Sequence, residues 1–485
     1  MYTVKNFFKD TGKERSVQVS KREVLVTLCL ATLLAALGVS AINMALPVLI
    51  DRFDVSFSDT QWITVAYMMS MTATLPIAGG VSDKLGRRKL FLMGGLVFTI
   101  STLCCAFSFN VWSLVFFRAI QGAGAAMFVA VSMAIASDVF NKTETGKVIG
   151  LLGSLSAVGT GMGPIVGGLI VEHLDWQAIF WIMVPIGLGI FLLAYRTLPE
   201  NIVEQAVGGG NRLKKYLASA SLFFSIIFYT LAIKPLGEGY SIINGIAIAI
   251  SIIFGISLLY FRQREQPLRQ GFTESSGKQI FIANLAGNFL VASSVMSSLI
   301  VGPFYLTLAL GLDLFVAGLV MTAGSFMVAA CSNLAGRAVD RFRSRGIVLL
   351  GLLIMISGAL GMGLLTIEQG LGGYLAFSIT VAIGYGTYLS TVNTLTMNSA
   401  RAVIRGRISG LLGLSRSMGL LTGASLMSVI FVGVAPGVAL QEMSSVQIAD
   451  GLNAVYRLAS ALLVTALIIQ LGSILVNHRR VKAQN

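Results

Sequence analysis

Apolar residues in this chain run in long blocks broken by short polar connections. Fourteen blocks are discernible, near residues 24–47, 61–82, 90–109, 112–137, 145–171, 176–197, 213–233, 241–262, 279–302, 314–335, 346–366, 370–393, 409–434 and 452–476. A helix of about 20 apolar residues reaches across a hydrocarbon core about 30 Å thick. Each block therefore predicts a membrane-spanning helix, and the whole predicts an all-α polytopic membrane protein. The first block is longer than the apolar part of a cleaved signal peptide, which makes 24–47 an uncleaved first helix.

Composition agrees: 55% of residues are hydrophobic, 12% are charged, and the mean hydropathy is +0.82. The net charge of +14 raises the question of nucleic acid. Its distribution answers it. Counted with the N-terminus inside, 30 of the 35 Lys and Arg fall in or beside the two tails and the even-numbered connections. Arg52 and Lys234 lie in outside connections, and Arg118, Arg416 and Arg457 within spans. That asymmetry is the positive-inside rule. The excess base sets topology, with both termini cytoplasmic in a cytoplasmic (inner) membrane, and no nucleic acid is expected.

One internal repeat is visible. AGGVSDKLGRR (78–88) joins spans 2 and 3, and AGRAVDRFRSR (335–345) joins spans 10 and 11. With six spans per repeat, the second repeat opens at span 9 and spans 7 and 8 are left over. The predicted arrangement is six plus two plus six, a repeat organisation common in secondary transporters. It divides the chain into a tail (1–23), a first six-helix bundle (24–197), linkers with two extra helices (198–278), a second bundle (279–476) and a short tail (477–485).

Missing chemistry narrows the class. No G-x-x-x-x-G-K-[ST] loop is present to cradle a nucleotide. His173 and His478 stand alone, and Cys29, Cys104, Cys105 and Cys331 all fall in spans without metal-ligand spacing, which reads as apolar packing. No enzyme, metal or cofactor is expected.

Glycine concentrates where a helix tolerates it poorly. GTGMGPIVGG (159–168) sits inside span 5, although an interior Gly costs about 1 kcal/mol against Ala and Pro about 3. Gly159, Gly163 and Gly167 share one face, a stripe that admits a close neighbouring helix, and Pro164 removes a backbone donor. The pattern G-x-x-x-G-P-x-x-G-G runs through Gly168 without a mismatch. GGVSDKLGRRK (79–89) carries Gly79, Asp83, Gly86, Arg87 and Arg88. LVFFRAIQGAGAA (114–126) puts Arg118, Gln121 and Gly122 on one helix face, and a charge inside a span usually faces the interior or a cavity. Snorkelling to the nearby interface is the alternative for Arg118.

With these stretches together, the chain resembles the major facilitator superfamily over nearly its whole length, in the 14-span drug–proton antiporter branch. The resemblance implies the major facilitator fold and export by alternating access. It implies that the span 5 glycines form a tight contact sealing the cavity, and that Asp83, Arg87 and Arg88 form a cytoplasmic gating turn, with Asp340 and Arg341 as its second-half counterpart. It also implies that Arg118 tunes proton transfer or substrate binding. WITVAYMMSMTATLPIAG (62–79) resembles the branch's span 2 with Tyr67 in place, and GLSRSMGLLTGASL (413–426) its span 13, which sets Arg416 inside the second bundle. Asn43, Tyr67, Gln121, Asn284, Asn288, Tyr385 and Tyr388 are further cavity candidates, each of which could instead join helices by hydrogen bonds.

Two departures bear on mechanism. LGVSAINMALP (37–47) has Gly38 where the branch carries an acid, and Met183 stands where it carries Asn. None of the 21 Asp and Glu falls deep in a predicted span, whereas a buried carboxylate is the usual proton carrier. The expected partners are an amphiphilic small-molecule substrate, protons and the bilayer, for a monomer acting in multidrug efflux and antibiotic resistance. A dedicated exporter of an anionic metabolite, fatty acid, bile salt or siderophore is the alternative that the missing acid favours. From a different class comes a non-transporting receptor or assembly subunit, which need not keep gating elements.

Overall fold

The computed structural model describes residues 20–140, 142–199, 212–233, 242–262, 277–342, 346–399, 405–435, 438 and 440–484. One helical segment answers each of the fourteen apolar blocks. Span 1 is compound: α1 (Lys21–Ser40) passes through a 3-10 turn (Ala41–Ala45) into α2 (Leu46–Phe53). Pro47 in the first turn of α2 is compatible with this restart, because that turn has no backbone donor to lose. The rest of the first half is α3 (Phe57–Leu85), α4 (Arg87–Ala106), α5 (Val111–Val139), α6 (Lys142–His173) and α7 (Ala178–Thr197). Then follow α8 (Arg212–Ile233), α9 (Ile242–Arg262), α10 (Gly277–Phe304), α11 (Leu314–Phe342), α12 (Gly346–Met362), α13 (Gly370–Ser399), α14 (Arg405–Val432) and α15 (Ser445–Gln484). Among the described residues, ten helices are long and apolar enough to cross a membrane.

Local chemistry fixes several ends. Ser56 caps α3, its Oγ accepting from Asp59 N–H at 3.1 Å. Asn110 and Ser113 form a reciprocal capping box on α5, with Ser113 N–H donating to Asn110 Oδ1 at 2.7 Å. Gly86, at φ +86°, makes the abrupt turn from α3 to α4, a conformation open to glycine and costly for other residues.

Packing repeats across the chain. In the first half α3 and α4 pack on α5, α6 and α7 on α1, and α7 on α4. In the second half α11 and α12 pack on α13, α14 and α15 on α10, and α15 on α12. The halves meet along two seams, α6 with α11 and α3 with α14, and these are equivalent under the same correspondence. Helices α8 and α9 pack on each other, and α8 also touches α3 and α14. The ends that carry Lys21, Arg87 and Arg196 share one side of the molecule, called below the basic end.

Candidate functional site

At the basic end the turn between α3 and α4 is tied into its own half. Arg87 forms an ion pair with Asp138 at the close of α5 and donates to Ala134 O at 3.0 Å. Arg88 donates to Tyr195 O on α7 at 2.5 Å, with its guanidinium 5.4 Å from that ring's centre. The sequence placed these arginines in a gating turn; the structure puts the described partners of both within the first half. The side chains of Asp83, Asp340 and Arg341 lie outside the described residues.

The glycines of α6 serve two neighbours. Gly159, Gly163 and Gly167 face span 1: a β-carbon at Gly159 would lie 2.8 Å from Ala36 Cβ, and at Gly163 or Gly167 it would collide with Ser40 or Ala41. That stripe was legible. A second, about 150° round the helix at 3.6 residues per turn, was not. Gly161 faces Ser325, Gly168 faces the Leu314 carbonyl, and Gly318 on α11 faces the Pro164 carbonyl, each too close for a β-carbon. Ile165 N–H donates to Thr322 Oγ1 at 3.2 Å, and Phe315 N–H in the first turn of α11 donates to Glu172 Oε2 at 2.6 Å. Main chain therefore lies on main chain across the seam, on the half of α6 away from the basic end.

One layer of the first half holds the only charged side chain that is buried among the described residues. Arg118 is 1% exposed, so it does not snorkel. Its Nη1 donates to Gln121 Oε1 at 2.6 Å and its Nε to Ile63 O at 3.2 Å, and it stacks 4.3 Å from the Tyr67 ring centre. Gln121 Nε2 passes the chain on to Thr102 Oγ1 at 2.6 Å. Gly122 lets α5 close on α3, since a β-carbon there would strike the Tyr67 carbonyl. Arg118 Nη2 finds no partner among the described residues. The missing acid at position 38 has a structural counterpart: the Tyr67 hydroxyl, donating to Ala35 O at 2.9 Å, lies 3.1 Å from where a β-carbon at Gly38 would stand. A phenol fills the space a longer side chain there would enter.

The other candidates divide. Asn43 Oδ1 accepts from Thr64 at 2.7 Å, joining the 3-10 turn to α3. Asn284 donates to Thr396 Oγ1 at 2.7 Å and accepts from Gln470 at 3.2 Å, and Asn288 donates to Leu412 O at 2.9 Å. These three join helices. Tyr388 is fully buried beside Gln470 and Gly287, and Tyr385 is 8% exposed. Arg416 is half-buried, with its Nε free of partners among the described residues. The structure does not bring Arg416 together with Arg118.

Three residues escaped the sequence reading: Glu172 at the seam, Gln470 in the α10–α13–α15 network, and Gln61. Gln61 shares a face of α3 with Phe57 and Thr64, is fully buried, and has neither amide atom hydrogen-bonded. A glutamine inside an apolar span was the available signal. Above it, Phe57 packs on Phe304 of α10 (4.9 Å between ring centres) and Phe431 of α14 (5.4 Å), an aromatic closure between the halves at the end opposite the basic one.

Against known proteins, residues 28–424 match the sequence model of the Major Facilitator Superfamily. The riboflavin transporter RibZ of Clostridioides difficile is 27% identical over 411 residues, covering 84% of this chain and 88% of that one. The multidrug efflux pump LfrA of Mycolicibacterium smegmatis is 26% identical over 410 residues, covering 84% and 80%. In fold, a bacterial homologue of the human lysosomal transporter Spinster, solved inward-facing and unoccupied, superposes with a TM-score of 0.65 at 15% identity over 94% of this chain and 97% of its own.

Proposed function

The chain belongs to the Major Facilitator Superfamily, and on that footing we propose that it is a secondary exporter of amphiphilic small molecules, working by alternating access in exchange for protons. It is a membrane transporter and not an enzyme. In this reading the helices form two six-helix bundles with α8 and α9 as the extra pair, the basic end is cytoplasmic, and the protein sits in the inner membrane as a monomer. The observation that carries export is the α6–α11 seam, where an antiporter-type glycine pattern puts main chain against main chain between the halves. Such a contact closes one end while the other is free to open. The aromatic closure of Phe57, Phe304 and Phe431 stands at the same, outer, end.

Relatives that carry multidrug and riboflavin names support cargo of drug size with a ring system. Charge is the point at which a second reading enters. With Arg118 the only buried charge among the described residues and a phenol where the branch has an acid, the cavity favours an anionic or neutral cargo over a lipophilic cation. A dedicated exporter of one anionic metabolite is that reading.

Flux in inside-out vesicles with an imposed pH gradient tests both, comparing ethidium with a bile salt in wild type and Arg118→Ala. Removing the guanidinium strands Gln121 Oε1, at about 1–3 kcal/mol for a buried acceptor left unmet, and takes away the cation stacked on the Tyr67 ring. The expected result is gradient-driven uptake of at least one of the pair, reduced 10-fold or more in the variant. Uptake confined to the bile salt selects the second reading; no gradient-driven flux of either compound removes the proposal.

A further inference from the structure

Beyond the Arg118 layer, two side-chain amides stand out. Gln61 and Asn43 are both fully buried, and between them three polar atoms lack a hydrogen-bond partner among the described residues: Gln61 Oε1, Gln61 Nε2 and Asn43 Nδ2. A buried amide left unpaired costs about 1–3 kcal/mol. Three other buried amides, Asn284, Asn288 and Gln470, are bonded across helices, and Gln177 and Asn453 each leave only an oxygen unpaired, whereas Gln61 has neither amide atom bonded. Position matters as much as number. Thr64, one turn along α3 from Gln61, donates to Asn43 Oδ1 at 2.7 Å, which holds Asn43 within a turn of Gln61. Here α3 meets α14 and the 3-10 turn meets α10, so the amides stand where the two halves part. One turn further out lie the rings of Phe57, Phe304 and Phe431, with centres 4.9 to 6.2 Å apart.

We propose that Gln61 and Asn43 form an uncharged hydrogen-bonding subsite that takes the C(=O)–NH edge of a planar lactam or imide ring, the ring itself lying against the Phe57 cluster. The subsite rests on the transport reading above and names the cargo class it selects. Gln61 supplies an acceptor and donors side by side, the complement of a carbonyl beside an N–H. Asn43, its oxygen held by Thr64, supplies a further donor for a second carbonyl. An ion is disfavoured, since no side chain named in the subsite carries a charge to offset its desolvation. Arg118, the nearest buried charge, is engaged on the other flank of α3 by Ile63 O, Gln121 and Tyr67. A site built to pair such an edge rejects an analogue that lacks it far more strongly than an apolar pocket does.

The test uses purified full-length protein and riboflavin, whose imide N–H lies between two carbonyls, beside its N3-methyl derivative, in which that edge is blocked. Binding is read from flavin fluorescence, and melting and vesicle flux of ethidium and the bile salt are followed in parallel. Wild type is expected to bind riboflavin about 10-fold or more tighter than the methylated flavin. Gln61→Leu should abolish that preference and melt no lower than wild type. Gln61→Asn should keep part of the preference. Equal binding of the two flavins, or a preference that survives in Gln61→Leu, overturns the proposal. A lower melting point in Gln61→Leu with flavin binding intact also overturns it, and assigns the amides to ordered water. Flux of ethidium or bile salt without flavin discrimination defeats this subsite alone, whereas absence of all binding and flux defeats the transport reading with it.

Discussion

The α6–α11 and α3–α14 seams occupy equivalent places in the two halves and are built differently. Aligned on the glycines that meet span 1 and span 9, GTGMGPIVGG of α6 corresponds to SRSMGLLTGA (415–424) of α14. Gly163 and Gly167 then match Gly419 and Gly423, which close on Phe289 and Ser293 of α10 as their counterparts close on Ser40 and Ala41. That face is shared. On the seam face, Gly161, Pro164 and Gly168 correspond to Ser417, Leu420 and Ala424. The first seam is backbone against backbone; the second works through side chains, with α8 added beside it and Tyr229 hydrogen-bonded to Thr422 at 2.8 Å. Close backbone packing is short-ranged and is lost almost at once when helices separate. Interleaved side chains give way more gradually. Under the proposed export mechanism, the first seam is the latch and the second the seat it rocks against.

The sharpest way to break this comparison is a matched pair of alanines. Gly168→Ala and Gly318→Ala each push a methyl into a facing carbonyl, a strain of about 1–3 kcal/mol on the closed seam. Vesicle flux should fall roughly 5- to 150-fold on that scale. Ser417→Ala, at the equivalent of Gly161, should leave flux within about 2-fold; equal effects at both seams would make them functionally alike.

Next comes Glu172. Its carboxylate caps α11 from across the seam, and loss of a cap costs about 0.5–2 kcal/mol. Glu172→Ala is expected to raise thiol labelling at the end of α11 opposite the basic end several-fold, and Glu172→Gln, which keeps an acceptor, to raise it less. Labelling in Glu172→Ala unchanged from wild type would show that the carboxylate holds nothing shut. The smallest effect belongs to Tyr229→Phe, which removes one interhelical bond of about 0.6 kcal/mol. A melting point within about 2 °C of wild type is expected, with flux unchanged; a large loss of flux would promote α8 from neighbour to working part of the second seam.

Much of the fold was readable without coordinates. Fourteen apolar blocks announce themselves because the bilayer demands a fixed length of uninterrupted hydrophobic helix, and each is matched by a helical segment. The site was readable in pieces. Arg118 and Gln121 could be paired because i and i+3 share a helix face, and their hydrogen bond joins them. Gly159, Gly163 and Gly167 could be read as a stripe for the same reason, although not which helix they meet. Arg87 gave no hint of Asp138, fifty positions away on another helix. Gly161 and Gly168 stand seven apart, and that spacing acquires meaning only beside Gly318 and Ser325. Asn284 and Asn288 looked like cavity residues because a polar group in a span has either a ligand or a neighbour, and sequence does not say which.

By itself, then, the order of residues determined what is local or what the membrane imposes: helix number and length, the clustering of base at alternate connections, the faces that carry glycine, and the family likeness. Two features waited for the assembled helices: the second glycine stripe with its partner across the seam, and the difference between Asn284, bonded in its place, and Gln61, unpaired in its own. Both depend on which side chains meet from segments more than a hundred residues apart. Such meetings follow from the packing of whole helices, and a single helix period carries no record of them.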